Sequence, residues 1–247
     1  MTDDEAEGGE AFDALDPGTD LMAALIAVLL LLLVIARAAY SDVLGGDTDL
    51  RYVGQNQQAL VSEIASSLGG LEIKDQNDPD RTTIVSGDAQ IQIAEVQRAA
   101  LSQTFSFGDG ILFKSAKSDL TPEGQLKLAQ FLTPVIARQD ALVEIQIQGH
   151  ADTIPIMGTT NLKLGADRAV AVYDFFVAQG LDPSRTLLSA TSFGEFKPSG
   201  RLPEIAFDAD QLAAANKTKA DRDRNRRIEI VLTYSRVRER PTASAGK

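Results

Sequence analysis

Asp152 and Arg168 have the types and the spacing to hold a doubly charged ligand. Asp152 stands at the end of an alternating strand, and Arg168 follows one loop and part of a helix later. A carboxylate can hold an amine, and a guanidinium offers a planar fork that matches a carboxylate. The same two residues could instead neutralise each other as a salt bridge, and spacing alone leaves both readings open. Asn161 falls at the start of the helix. There it can hydrogen-bond a ligand or cap the helix, and the helix dipole favours a bound carboxylate. His150 is the single histidine, and the chain has no cysteine. Without partners for nucleophilic catalysis, or enough ligands for a metal, it reads as structural. Asp20 borders the apolar run Leu21 to Ala36. It is either the N-cap of a helix, after Pro17-Gly18-Thr19, or an ion or proton site. Ala23, Ala24 and Ala27 share its helical face, and small residues there admit a second helix.

The apolar run has no polar face, and Leu29 to Leu33 is an unbroken leucine block. That is the pattern of a helix solvated by lipid. Arg37 and Tyr40 extend it to the headgroup region. The preceding residues carry Asp3, Asp4, Glu5, Glu7, Glu10, Asp13 and Asp16 with no Lys or Arg, which excludes a signal peptide and marks an uncleaved anchor. Most of the net charge of -11 is therefore a property of this tail. Arg222, Arg224, Arg226 and Arg227 alternate with acids and lack interleaved aromatics, so no nucleic-acid partner is expected.

Residues 50–68 place Val53, Leu60, Val61, Ile64 and Leu68 at helical spacing, ended by Gly69-Gly70. Residues 71–97 read as short strands joined by turns. Residues 104–113 read as a strand continuing past Gly108-Asp109-Gly110. Thr121 and Pro122 then open a helix as cap and first position. Val143, Ile145 and Ile147 alternate with polar residues as a half-buried strand. A helix is expected from Asn161 to Gln179, with Leu164, Ala169, Val172, Phe175 and Phe176 inward and Gly180 as its stop. Leu187 to Thr191 forms a strand, 194–221 a long polar loop, and Ile228, Ile230 and Leu232 a last strand. The order β-α-β-α-β-β describes an α+β layer with helices on one face.

Several of these residues carry a family resemblance. Gly149-His150-Ala151-Asp152, Asn161 with Leu164-Gly165-Ala166-Asp167-Arg168, Gly194, and Asn225-Arg226-Arg227-Ile228 together resemble the OmpA-like peptidoglycan-binding domain over roughly residues 105–235. Gly165 departs from the family's usual Ser. The form with Thr153-Ile154-Pro155-Ile156 is most similar to the MotB branch of wall-anchoring stator subunits. Asp20-Leu21-Met22-Ala23-Ala24 also looks like the motif opening the single span of MotB-type subunits and the related ZorB subunits of Zorya systems. Ala23 replaces the usual Thr or Ser, and acids replace the usual basic residues before the aspartate.

The resemblance implies a non-enzymatic, cofactor-free subunit of a membrane motor driven by H+ or Na+. Asp20 would bind the ion. Asp152, Asn161, Arg168, Asn225 and Arg226 would bind the diaminopimelate stem peptide of peptidoglycan, while strand alternation should turn Arg227 away. Implied partners are peptidoglycan, a MotA-type multi-span subunit, a second copy in a homodimer, and the inner membrane. One arginine after the span would by itself put the C-terminal part in the cytoplasm. A wall-binding domain must lie outside, so the expected topology is an acidic cytoplasmic tail (1–19) and a transmembrane helix (20–40). A periplasmic linker (41–101) with a candidate plug helix, the OmpA-like domain (102–236) and a disordered tail (237–247) follow. The rival is a passive envelope tether with the same anchor and wall domain, in which Asp20 is only a cap.

Overall fold

The computed structural model of the chain describes residues 22, 24–35, 47–87, 91–201 and 206–235. The chain divides between Gly46 and Asp47 into two units. In the first, residues 24–35 are helical (α1), and their large apolar side chains are exposed. Among the described residues no helix is long and apolar enough to cross a membrane. Asp20, both ends of the expected span, the acidic tail and the C-terminal tail lie outside the described residues.

The second unit runs α2 (Asp47–Ser67), β1 (Gly70–Lys74), β2 (Arg81–Ser86), β3 (Gln92–Arg98) and β4 (Ser102–Gly108), then α3 (Asp109–Leu112) and α4 (Pro122–Ala137). It continues through β5 (Leu142–His150), α5 (Asn161–Ala178), β6 (Leu187–Gly194), α6 (Ala209–Ala214), α7 (Lys219–Asn225) and β7 (Arg227–Tyr234). All seven strands form one sheet in the order β1-β2-β3-β4-β7-β5-β6. Only β5 and β6 pair parallel, because α5 supplies the crossover between them.

Strand alternation decides where the helices lie. Phe105 and Phe107 of β4, Ile145 and Ile147 of β5, and Ile228, Ile230 and Leu232 of β7 are buried in one cluster with α2, α4 and α5. Phe131 of α4 is its centre, with ring centroids 5.1 Å from Phe105, 5.5 Å from Phe107 and 6.1 Å from Phe176. The expected α5 core face is in place, except that Phe175 is only half-buried.

Residues before β4 belong to this core. Val53, Leu60, Val61, Ile64 and Leu68 are all buried, each worth about 1.5–3 kcal/mol of apolar burial. Polar bonds fix the register of α2. Gln57 Nε2 donates to the carbonyls of Ala99 at 2.9 Å and Ser102 at 3.1 Å, and Arg138 forks onto Glu63. Pro134 lies inside α4 and has no N–H for the Gln130 carbonyl four residues back. The Ser67 hydroxyl donates to that carbonyl at 2.8 Å. β3 pairs with β4, Val96 opposite Phe105, so the short strands expected between 71 and 97 join the same sheet as β4 to β7. Two expectations need correction. Residues 109–112 are a helical turn, not a continuing strand, and the 194–221 loop contains α6 and the start of α7, each opened by a capping box.

Candidate functional site

β5 ends in an irregularity between Gly149 and His150, where the register against β6 shifts. The shift re-aims the chain, and Ala151 N–H donates to the Gly194 carbonyl at 2.8 Å. Asp152 follows, 5% exposed. Its Oδ1 accepts from the Ile154 amide at 2.9 Å, and its carbonyl accepts from Asn161 Nδ2 at 2.9 Å. Thr160 caps α5, its hydroxyl accepting from the Lys163 amide at 3.1 Å. α5 can lie close to β5 because both contact positions are glycine. A Cβ on Gly149 would stand 2.0 Å from the Gly165 carbonyl oxygen, and one on Gly165 would stand 2.4 Å from Ser192 Oγ. The departure from the family's Ser is therefore met by a serine hydroxyl from β6.

Asp152 and Arg168 do not pair with each other. The Asp152 Oδ2 accepts from Arg226, whose other nitrogen reaches Asp223. Arg168 is 3% exposed, with Nη1 3.0 Å from Asp109 Oδ1, Nε donating to the Lys117 carbonyl at 2.8 Å, and its guanidinium 5.2 Å over the Phe113 ring. Asp109 enters through α3: its amide donates to the Arg226 carbonyl at 2.9 Å, and its own carbonyl closes the turn with Phe113 N–H. Lys117 and Ala116 belong to the loop after Phe113. Ala116 holds φ at 55°, the left-handed region that costs a non-glycine residue about 1–2 kcal/mol.

These pairs border a cleft of about 330 Å³ lined by Asp109, Ala116, Asp152, Asn161, Arg168 and Arg226, with Ile154 to Met157 on one wall. Burial pushes the Asp109 carboxyl above its ordinary value, against the pull of Arg168 and Arg226. Burial lowers the Arg168 guanidinium in turn, with Asp109 opposing. Asn161 Oδ1 is buried without a hydrogen-bond partner among the described residues. Two carboxylates and two guanidiniums balance in charge. A zwitterion can meet both charges at once, its cation at Asp152, where a displaced Arg226 keeps Asp223 as partner, and its anion at Arg168. Among the described residues no group of three or more potential metal ligands occurs.

The structure thus brings together Asp152, Asn161, Arg168 and Arg226, and adds Asp109. Asn225 is placed apart from the cleft lining. It is 2% exposed, donates to the Ala215 carbonyl and Asn216 Oδ1, and accepts from the Ser199 amide at 2.8 Å. Arg227 is turned away as alternation requires, and pairs with Glu229 at 2.7 Å. His150 is 1% exposed, stacked on Phe193, with Nε2 3.1 Å from Glu229 Oε2. Burial pushes its imidazole below the ordinary value, with Glu229 opposing. Burial would raise the Glu229 carboxyl, yet His150, Arg227 and Lys197 hold it well below the usual range.

Residues 112–226 match the OmpA family. This part of the chain is an OmpA-like domain. Among curated proteins, outer membrane protein A of Bordetella avium is 32% identical over 143 residues, covering 56% of this chain and 61% of that protein. The peptidoglycan-associated lipoprotein of Mesorhizobium japonicum is 38% identical over 108 residues, 42% of this chain and 58% of the relative. The chain thus spans about three fifths of the length of these two relatives. A solved MotB-like protein from Desulfovibrio vulgaris superposes with a TM-score of 0.54 at 23% identity, covering 75% of this chain and 99% of that one. The chain thus shares its fold with that MotB-like protein. The superposition covers more of the chain than residues 102–235 could supply, so the likeness extends beyond β4 to β7.

Proposed function

We propose that this chain is the wall-anchored B subunit of an ion-driven membrane motor, and that its OmpA-like domain grips peptidoglycan. The observation that carries the wall-binding reading is the charge-balanced cleft at the α5 N-terminus, where Asp152–Arg226 and Arg168–Asp109 stand side by side. Diaminopimelate presents an amine and a carboxylate on one side chain. The amine exchanges for Arg226 at Asp152, and the carboxylate exchanges for Asp109 at Arg168, aided by the helix dipole. The unpartnered Asn161 Oδ1 is a further acceptor for the amine. Asp152→Ala and Arg168→Ala should each abolish co-sedimentation of the folded protein with purified peptidoglycan. Undiminished binding in both would sink the reading.

The motor half of the proposal rests on Asp20 heading the apolar run on the same chain as a wall-binding domain. Residues 20–40 would span the inner membrane with the acidic tail cytoplasmic. Two copies would pair beside a MotA-type multi-span subunit, and Asp20 would carry H+ or Na+. Asp20→Asn should remove ion-driven function while leaving expression and wall binding intact. A passive tether is the second reading, favoured by the curated relatives, which are an outer membrane protein A and a peptidoglycan-associated lipoprotein. It requires a tolerant Asp20 and no multi-span protein co-purifying with the chain.

A further inference from the structure

β1 is an edge strand of the sheet, paired on one side only, with β2. The Asp75 amide donates to the Arg81 carbonyl at 3.0 Å, in the same register that sets Gly70 opposite Ser86 and Lys74 opposite Thr82. Hydrogen-bonded pairs alternate along an antiparallel ladder. Leu71 and Ile73 therefore turn their backbone groups toward β2, and the N–H and C=O of Glu72 and Lys74 face the open edge. On one face of this edge Leu71 is 61% and Ile73 51% exposed. An open backbone edge beside two exposed aliphatic side chains is a surface that natural sheets normally cover or blunt.

We propose that β1 pairs antiparallel with β1 of a second copy of this chain, joining two sheets across a two-fold axis at Ile73. This rests on the reading that two copies come together, and it adds the surface by which they do. Charge selects both the occupant and the register. An axis at Glu72 would oppose Glu72 to the partner's Glu72, a destabilising pair. An axis at Ile73 opposes Glu72 to the partner's Lys74, and Lys74 to the partner's Glu72. Those two positions are also the ones whose backbone groups face outward. Ile73 then meets the partner's Ile73 in a non-hydrogen-bonded pair, where side chains are closest. Within β1 the ladder spans only Glu72 to Lys74, which buries less than a free-standing stable dimer needs. It forms when the two copies are held at high local concentration.

The chain has no cysteine, so Ile73→Cys introduces a single thiol. A non-hydrogen-bonded pair separates Cα atoms by about 4.5 Å, within disulfide reach. In cells producing the full chain, mild oxidation should link Ile73→Cys chains at least ten-fold faster than chains carrying Leu187→Cys, an exposed position on the opposite edge strand β6. Adding Glu72→Lys should slow the linkage at least ten-fold, and further adding Lys74→Glu should restore it. Equal rates at the two edges, indifference to Glu72→Lys, no rescue by Lys74→Glu, or a linked species of other than twice the chain mass would each overturn the proposal. Light scattering of the purified full chain separates the two levels. A dimer that fails to link through residue 73 refutes this surface alone; a monomer refutes the pairing of copies as well.

Discussion

Arg168 owes its position to a residue far away in the chain. Its fork is held by Asp109 and the Lys117 carbonyl, both from the segment after β4. Asp109→Asn keeps the shape and removes the countercharge, which leaves a buried guanidinium without its ion pair. The expected cost is about 3 kcal/mol, measurable by urea unfolding. Asp152, Asn161, Arg168 and Arg226 were legible in the sequence because family motifs mark them. Asp109 was not, because Gly108-Asp109-Gly110 reads locally as a turn and its partner is set by tertiary packing. Asn225 shows the converse: the motif residue is present, but its amide ties down the loop at Ser199 and Ala215. His150 carries a pH dependence. Its folded-state value is depressed below 6.5, so the unfolded chain binds the proton more readily. Its contribution is complete above pH 6.5 and is lost as pH falls toward the folded-state value. The urea midpoint should therefore drop on acidification below about pH 6.5, with a smaller drop over that range in His150→Gln.

At the level of elements, the cleft depends on how closely α5 lies on β5. Gly165→Ser restores the family residue but sets a Cβ 2.4 Å from Ser192 Oγ. The change should destabilise by about 1–3 kcal/mol, and adding Ser192→Gly should recover most of that in a double-mutant cycle. Helices and strands with long periodic faces were readable: α4, α5, β5 and β7 occur where apolar spacing put them. The short elements were missed for physical reasons. α3 is a single turn, and α6 has no buried residue from which a period could be read. The signals for α6 and α7 were the capping boxes Asp208 with Gln211 and Thr218 with Asp221. Leu126 fits the α4 period yet is 57% exposed.

For the molecule as a whole, the main difference concerns residues 47–101. Their amphipathic helix and short strands were visible in sequence, but no local pattern tells whether such a helix docks on its own domain, a membrane or a partner. Burial answers it: Leu60 and Ile64 are 0% exposed and join the core of β4, α4 and α5. Ile64→Ala should cost about 3 kcal/mol in one cooperative transition seen by far- and near-ultraviolet circular dichroism. An unchanged midpoint would mean that α2 does not contribute to the fold. The way α2 is fastened also determines how the domain bears load. Between Leu50 and Asn56 only Val53 is fully buried, whereas Gln57 is bonded to two carbonyls of the β3–β4 connection and its own carbonyl accepts from Gln103. Tension applied at Asp47 therefore unzips the first turns of α2 at low force and then meets a firm stop at Gln57. In an optical trap this should register as a first extension of about 20 Å, well before the rupture of the sheet. The domain is thus built with a short compliant leader in series with a stiff body.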